Sequence, residues 1–275
     1  MAPNFDPTER RARFRALHES ACFVLPNPWD AGSAKYFESA GFQALASTSS
    51  GCAWAAGEPD NYMGLDETLA HLARLAESTT LPINADFRDG FGRTPAEVAD
   101  AVTRAIGTGI AGLSIEDSTP GEREPLRPIP EAVERIRAAR AAIDAAGGDV
   151  LLIGRAENFV VDRPDIDDAI ARLKAYADAG ADVLYAPGIS TREQIEAVVK
   201  AVAPKPVNVL MHGPSEFTVA DLEAMGVRRI SIGGALARVA WGAVFRATEL
   251  LKQGSFAGLE GGARGSDLDA LFSKK

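Results

Sequence analysis

Two short apolar stretches of the chain end in carboxylates, and these give its strongest chemical signal. Alternation along residues 81–92 sends Asn84, Asp86 and Arg88 to one face before a glycine-rich turn. The stretch 110–117 ends in the carboxylates Glu116 and Asp117. Carboxylates at neighbouring strand ends are well placed to hold a cation. An oxygen-only set without paired His or Cys favours Mg²⁺ or Mn²⁺ over zinc. The alternative is that Asp86 and Glu116 only cap helices.

Arg155 ends a later apolar stretch, where its guanidinium is suited to bidentate contact with a carboxylate or phosphoryl group. The alternative is a purely structural ion pair with Glu157 or Glu116. A run of hydroxyl residues at 48–50 offers donors to a second anionic group. Other polar residues at the carboxyl ends of apolar stretches, or on the loops after them, are Asp60, Asn158 and Asn208.

The elements that position these residues form a repeating pattern of eight apolar strands, each followed by a helix. The strands are near-continuously hydrophobic, as in a parallel sheet covered by helices. Eight such units in about 250 residues fit an α/β fold of the (β/α)8 type, a TIM barrel. A doubly wound sheet is the alternative, but no Gly-x-Gly-x-x-Gly follows the first strand. The predicted strands lie near residues 21–26, 42–47, 81–86, 110–116, 150–155, 181–186, 206–210 and 227–232.

We therefore predict one barrel domain over residues 1–275, with a short N-terminal helix near 8–18 and a tail loosened by glycines after residue 252. Barrel enzymes place their chemistry at the carboxyl ends of the strands, so the polar residues above should meet there. The segment 117–130 is long and rich in Pro, Gly and charge, which predicts a lid. None of the lysines is placed for a Schiff base in the barrel mouth.

Composition excludes several partners. The net charge is −9 and the pI is near 5.0, which argues against nucleic acid and anionic membranes. The arginines of the first helix, and His18 beside them, are interpreted as a solvated helix face. Two cysteines provide neither a disulfide framework nor a zinc spacing, and residues 1–20 lack a signal-peptide core. We therefore expect a cytoplasmic protein.

Several motifs together resemble the isocitrate lyase/phosphoenolpyruvate mutase superfamily over residues 20–250. They are Asn27-Pro-Trp-Asp-Ala-Gly-Ser-Ala34, Thr48-Ser-Ser-Gly51, Pro59-Asp60, Ala85-Asp86, Gly90-Phe-Gly92, Ser114-Ile-Glu-Asp117, Gly154-Arg155 and Tyr185-Ala-Pro-Gly188. The resemblance implies a barrel whose last helix is exchanged between subunits, within a homotetramer built as a dimer of helix-swapped dimers. It also implies Mg²⁺-dependent handling of 2-oxo or 2-hydroxy acids through an enolate-like intermediate.

Residue roles follow from the same resemblance. Asp86 and Glu116 match the metal-associated carboxylates, and Asp60 matches one that reaches the metal through water. Arg155 matches the substrate-binding arginine, and the loop that receives the substrate carboxylate matches Thr48, Ser49 and Ser50. We add Arg88, Asn158 and Asn208 as candidate substrate-binding residues.

Two departures from the family pattern shape the functional prediction. Arg88 stands where relatives carry a second acid, and residues 118–124 replace the Lys-Lys-Cys-Gly-His loop of isocitrate and methylisocitrate lyases. We predict a Mg²⁺-dependent lyase that cleaves a carbon–carbon bond of a small oxo- or hydroxy-di- or tricarboxylic acid. Arg155, Asp60 and a lid residue such as Glu122 would be catalytic. Either Glu122 or a bound water would donate the proton to the enolate. Carbon–phosphorus chemistry, or 2-oxo-acid binding without catalysis, are the rival functions.

Overall fold

A computed structural model describes residues 6–19, 21–60, 62–119 and 123–273, so that Glu122 lies outside the described residues. All strand pairs within these segments are parallel, in the order β1-β8-β7-β6-β5-β4-β3-β2. The strands are β1 (Phe23–Leu25), β2 (Leu45–Ala46), β3 (Ile83–Asp86), β4 (Gly112–Glu116), β5 (Leu151–Arg155), β6 (Val183–Tyr185), β7 (Val207–Leu210) and β8 (Arg229–Ser231).

Backbone hydrogen bonding closes the sheet into a barrel. β1 pairs with β8, and the remaining gap between β1 and β2 is bridged by the Ala46 amide, which donates to Pro26 O at 3.1 Å. A helix follows each strand and covers the outside of the sheet. The prediction of a (β/α)8 barrel is therefore confirmed.

The helices begin at residues whose side chains accept hydrogen bonds from the first-turn amides. Thr94, Thr191 and Thr218 each cap a helix in this way, opposite an acid or amide three residues later. The helices are α1 (Pro7–Leu17), α2 (Ala31–Ser39), α3 (Ser49–Ala56), α4 (Leu65–Ser78), α5 (Pro95–Ile106), α6 (Ile129–Ala145), α7 (Ile166–Asp178), α8 (Arg192–Val202), α9 (Val219–Ala224), α10 (Ala235–Lys252) and α11 (Gly265–Ser273).

Helix α1 closes the amino-terminal end of the barrel. The interpretation of its basic residues as a solvated face is wrong for Arg10, Arg11 and His18, whereas Arg13 is exposed as predicted. Phe14 is fully buried, and its ring packs edge-on against His18, which is itself only 7% exposed. Arg10 and Arg11 are also buried. The Arg11 guanidinium donates to Ile110 O and contacts Asp149, so these arginines fasten the helix to the barrel.

Two segments predicted to be irregular are helical. The loop after β2 begins with α3, because Thr48 caps the first turn by accepting a hydrogen bond from the Gly51 amide. The tail that glycines were expected to loosen contains a 3₁₀ turn (Ala257–Leu259) and α11. The Phe272 ring of α11 lies against Gly32 of α2 and holds the tail to the barrel.

Helix α10 exposes an apolar face to solvent. Val239, Val244 and Phe245 are 64%, 52% and 65% exposed, and Trp241 beside them is 41% exposed. Only Ala237 is buried among the described residues of this helix. Across the described segments, no helix combines the length and hydrophobicity needed to cross a bilayer.

Candidate active site

The carboxyl ends of β3, β4 and β5 bring Asp86, Glu116 and Arg155 together. Asp86 and Glu116 are the last residues of their strands, and Arg155 lies opposite Glu116 in the β4–β5 register. The Arg155 guanidinium donates to Asp86 Oδ1 at 2.7 Å and lies 3.0 Å from Glu116 Oε2. Its Nε donates to Glu157 Oε1 at 2.9 Å. One cation thus holds three carboxylates around the mouth of the barrel.

The other oxygens of the two predicted metal ligands also have partners. Asp86 Oδ2 accepts a hydrogen bond from the Ser49 amide at the start of α3, at 3.0 Å. The Ser118 hydroxyl donates to Glu116 Oε1 at 2.7 Å. These contacts orient both carboxylates and couple them to the loops after β2 and β4.

Burial disfavours the ionised forms of two acids in this cluster. Burial is the main cause that raises the pKa of Glu116, and it raises the pKa of Glu157 to about 8. Burial alone would lower the pKa of Arg155, but Glu157, Glu116 and Asp86 outweigh it and raise that pKa well above its ordinary value. A further cation beside the cluster would favour the ionised forms of Glu116 and Glu157.

The donor chemistry of this cluster fits a hard divalent cation, since every candidate ligand is a carboxylate oxygen. The side chains do not form a closed cage: within the described segments, no three His, Cys, Asp or Glu residues are grouped closely enough to hold a metal alone. A cation that keeps several water ligands, as Mg²⁺ does, is compatible with this arrangement. Asp86 and Glu116 are the residues that fit such an ion.

A cavity of about 230 Å³ opens beside the cluster and contains most of the predicted site residues. Its lining includes Thr48, Ser49, Ser50, Asp60, Asp86 and Arg155. Thr48 Oγ1 and Ser50 Oγ share a hydrogen bond of 3.1 Å, so the start of α3 presents hydroxyls to the cavity. Gly234 approaches Ser50 closely, because a Cβ at this glycine would lie 2.7 Å from Ser50 Oγ. A larger residue there would displace the serine.

The lining also includes polar and aromatic residues that the sequence does not assign to the site. They are Asn84, Ser114, Tyr185, Arg229 and Ser231 on strands, with His212 on the loop after β7. The Tyr185 ring lies 5.2 Å from the Arg155 guanidinium and supports it. Polar residues within strands were the available signal, since a barrel core is otherwise filled by apolar side chains.

Arg88 is not part of the lining of this cavity, and its role in substrate binding stays a prediction. Its backbone is left-handed, with φ of 49°, so the alternation of β3 does not continue through it. The guanidinium donates to Met63 O at 3.2 Å and lies 5.2 Å from the Phe91 ring. The Arg88 guanidinium is thus engaged by a backbone carbonyl and an aromatic ring.

The two asparagines assigned to substrate binding are engaged elsewhere. Asn158 is 1% exposed and donates to Asp168 Oδ2 at 2.7 Å, outside the cavity lining. Asn208 is fully buried, and its side chain contacts Arg229 and Ser231. Asn208 therefore acts on the cavity through the residues it holds. Glu122 lies outside the described residues.

The predicted lid has a fixed base. The Arg127 amide donates to Asp117 O, and Ser118 and Leu126 form an antiparallel bridge. The Arg172 guanidinium joins the two ends of the segment, because it donates to Asp117 Oδ2 at 3.0 Å and to Arg127 O at 2.8 Å. These contacts hold residues 117–119 and 125–127 together at the base of the predicted lid.

Comparison with known proteins agrees with this geometry. Residues 14–252 match the family described as phosphoenolpyruvate phosphomutase. An oxaloacetate decarboxylase of Rhodopseudomonas palustris (strain BisA53) is 31% identical over 258 residues, which cover 90% of this chain and 86% of the relative.

Solved structures extend the similarity to the whole fold. A crystal structure from Burkholderia cenocepacia J2315, described only as a lyase or mutase, has a TM-score of 0.94 and 44% identity, covering 98% of both chains. Oxaloacetate acetylhydrolase in complex with its product oxalate has a TM-score of 0.86 and 28% identity, covering 97% of this chain and 95% of that one. The chain therefore belongs to the phosphoenolpyruvate phosphomutase family, within the isocitrate lyase/phosphoenolpyruvate mutase superfamily.

Proposed function

We propose that this protein is a Mg²⁺- or Mn²⁺-dependent lyase that cleaves a carbon–carbon bond of a small 2-oxo or 2-hydroxy di- or tricarboxylic acid. The observation that carries the proposal is Arg155, held by three carboxylates at the edge of a cavity that also presents the hydroxyls of α3. The names of the relatives support the same chemistry, since one is an oxaloacetate decarboxylase and another an oxaloacetate acetylhydrolase.

Arg155 would bind the substrate with the donors it has left. A guanidinium has five N–H groups, and contacts to Asp86, Glu116 and Glu157 occupy three of its nitrogens with one contact each. Two N–H groups remain for an oxygen of the substrate. Because the three carboxylates fix the plane of the guanidinium, these donors are already oriented for the oxygen on which negative charge develops.

The start of α3 would receive the carboxylate next to the reacting carbon, through the hydroxyls of Thr48 and Ser50. Asp86 and Glu116 would hold the metal ion, and Asp60 would act on it through water. When bound, the ion would supply Lewis-acid stabilisation of the enolate oxygen. The proton for the enolate would come from Glu122 or from a water molecule.

Assembly would cover the apolar face of α10. A helix with Val239, Trp241, Val244 and Phe245 exposed is stabilised by burial against another surface. We propose that this surface belongs to a second copy of the chain, in the helix-swapped dimer that the family resemblance implies, with two such dimers forming a tetramer. The free cysteines accord with a cytoplasmic enzyme.

Two rival functions have an observation in their favour. Carbon–phosphorus chemistry, as mutase or hydrolase, is favoured by the family that residues 14–252 match. Binding of a 2-oxo acid without catalysis is favoured by the engagement of all four oxygens of Asp86 and Glu116 with protein partners.

A substrate screen separates these functions. Oxaloacetate, isocitrate, methylisocitrate, dimethylmalate and phosphonopyruvate would each be incubated with the protein and Mg²⁺ or Mn²⁺, and products identified by NMR. We expect carbon–carbon cleavage of a carboxylic acid. The turnover rate should fall about 100-fold or more in Arg155→Lys, which keeps the charge but loses the bidentate geometry of the guanidinium. Arg192→Lys, on the exposed face of α8, is the matched control and should leave turnover unchanged. Turnover of phosphonopyruvate alone, or binding without turnover, would refute the lyase.

A further inference from the structure

Arg229, the first residue of β8, is a buried cation without a carboxylate partner. It is 2% exposed, and among the described residues no carboxylate oxygen lies within 4.0 Å of its guanidinium. Three other buried arginines, Arg11, Arg135 and Arg172, differ, because each contacts an aspartate. Burial of an unpaired charge is costly, and such groups in proteins are normally paired.

Neutral amides hold the Arg229 guanidinium near the barrel axis. Its Nε donates to Asn208 Oδ1 at 2.8 Å, and its Nη1 donates to Asn84 Oδ1 at 3.4 Å. Asn208 belongs to β7 and Asn84 to β3, which lie on opposite sides of the barrel. Gly112 leaves room for this arrangement, since a Cβ there would lie 2.8 Å from Asn84 Oδ1. The amides orient the cation but leave its charge uncompensated.

The position of Arg229 makes it the floor of the active-site cavity. It lines the same cavity as Arg155, Asp86 and the hydroxyls of α3. On the opposite side, the rings of Phe14, His18 and Phe23 pack together and close the amino-terminal end of the barrel. The cavity is therefore the open side from which an anion would reach the guanidinium.

Arg229 remains a cation at neutral pH. Burial is the main cause that lowers its pKa, to about 10, and the nearby charge of Arg155 lowers it further, while Tyr185 opposes the shift. Since about 10 is still well above 7, the guanidinium is protonated under physiological conditions. Two cations, one at the rim and one at the floor, thus face a cavity of about 230 Å³.

We propose that Arg229 receives a second carboxylate of the substrate, so that the site selects dicarboxylic over monocarboxylic acids. The planar guanidinium matches a carboxylate, and contact in a site shielded from water is far stronger than on a surface. Asn84 and Asn208 act as positioning residues that orient the Arg229 guanidinium toward the cavity. The inference rests on the proposed function, since it assigns the second charged end of the acid whose first end Arg155 and α3 bind.

A matched pair of ligands tests the assignment. Malate and lactate are stable 2-hydroxy acids that differ by one carboxylate, and their dissociation constants can be measured by calorimetry with Mg²⁺ present. The variants are Arg229→Met, which removes the charge at similar length, and Arg229→Lys, which keeps it. The control is Arg228→Met, the same substitution at the neighbouring residue, which alternation places outside the barrel.

We expect Arg229→Met to weaken malate binding tenfold or more while changing lactate binding less than threefold. Arg229→Lys should retain part of the preference for malate, and Arg228→Met should behave as the wild type. If Arg229→Met does not fold, Arg229→Lys and the wild-type preference for malate decide the question. Equal losses for both acids, an unchanged malate affinity, or a wild type without preference would overturn the proposal. Selectivity for malate without turnover of any acid in the screen would support the Arg229 site and would refute the proposed lyase activity.

Discussion

Arg155 lies directly opposite Glu116 across β4 and β5, and its guanidinium stands 3.0 Å from the Glu116 carboxylate. The same guanidinium contacts Asp86 and Glu157. Acids from β3, from β4 and from the loop after β5 therefore share one cation. This relationship explains how the three acidic side chains can lie close together. Because burial raises the pKa of Glu116 and of Glu157, a divalent ion at this site would favour the ionised forms of these acids.

The predicted metal ligands can be tested by isosteric substitution. Asp86→Asn and Glu116→Gln should each lower kcat/KM about 100-fold or more, because the metal loses a charged ligand while the hydrogen-bonding shape is kept. Circular dichroism should show an unchanged fold, and calorimetry should show weaker Mg²⁺ binding. Full turnover in excess chelator would exclude a role for a metal ion.

Arg88 should have little influence on the metal, because its side chain is directed to Met63 O and the Phe91 ring. Arg88→Met should change the Mg²⁺ dissociation constant and the Michaelis constant less than threefold. Both are measured by titration of activity with metal and with substrate. A steep rise in the Michaelis constant would show that Arg88 turns into the cavity when substrate binds.

Stability should depend on pH through His18. Burial is the main cause that lowers the pKa of His18 to about 3, and Arg229 contributes. The unfolded chain therefore binds a proton below about pH 6.5 that the folded chain excludes, so the contribution of His18 is present above pH 6.5 and is lost as pH falls toward 3. The loss amounts to at most about 1.4 kcal/mol per pH unit.

The replacement His18→Phe should flatten this dependence between pH 6 and 4, while the aromatic packing with Phe14 and Phe23 is kept. Urea denaturation of both proteins at several pH values measures the difference. His212→Phe is the control, because His212 is exposed. Parallel stability curves for wild type and His18→Phe would contradict the assignment.

The exposed face of α10 predicts an oligomer at micromolar concentration. Phe245→Glu should lower the mass measured by light scattering, since a charge at a residue 65% exposed in the single chain would be buried in the assembly. Val219→Glu, at an exposed apolar residue of α9, is the control and should leave the mass unchanged. A wild-type protein that is monomeric at this concentration would refute the proposed interface.

The sequence by itself determined the barrel and much of its mouth. Eight apolar stretches separated by capped helices allow few other folds, and strand-end positions of Asp86, Glu116 and Arg155 follow from the parallel order. Parallel strands place their carboxyl ends on one side, so residues distant in sequence can be predicted to meet. This reasoning needs only local patterns and one topological rule.

Tertiary structure alone decided where long polar side chains go. The left-handed backbone at Arg88 ends the alternation that predicted its direction. Arg10 and Arg11 are charged residues of a helix and were predicted to be exposed. They are buried because their guanidinium groups donate to backbone carbonyls of distant elements. Arg229 begins a strand, but its long side chain crosses the barrel to Asn84. Periodicity predicts the face of a residue, whereas its partners depend on which elements the fold brings together.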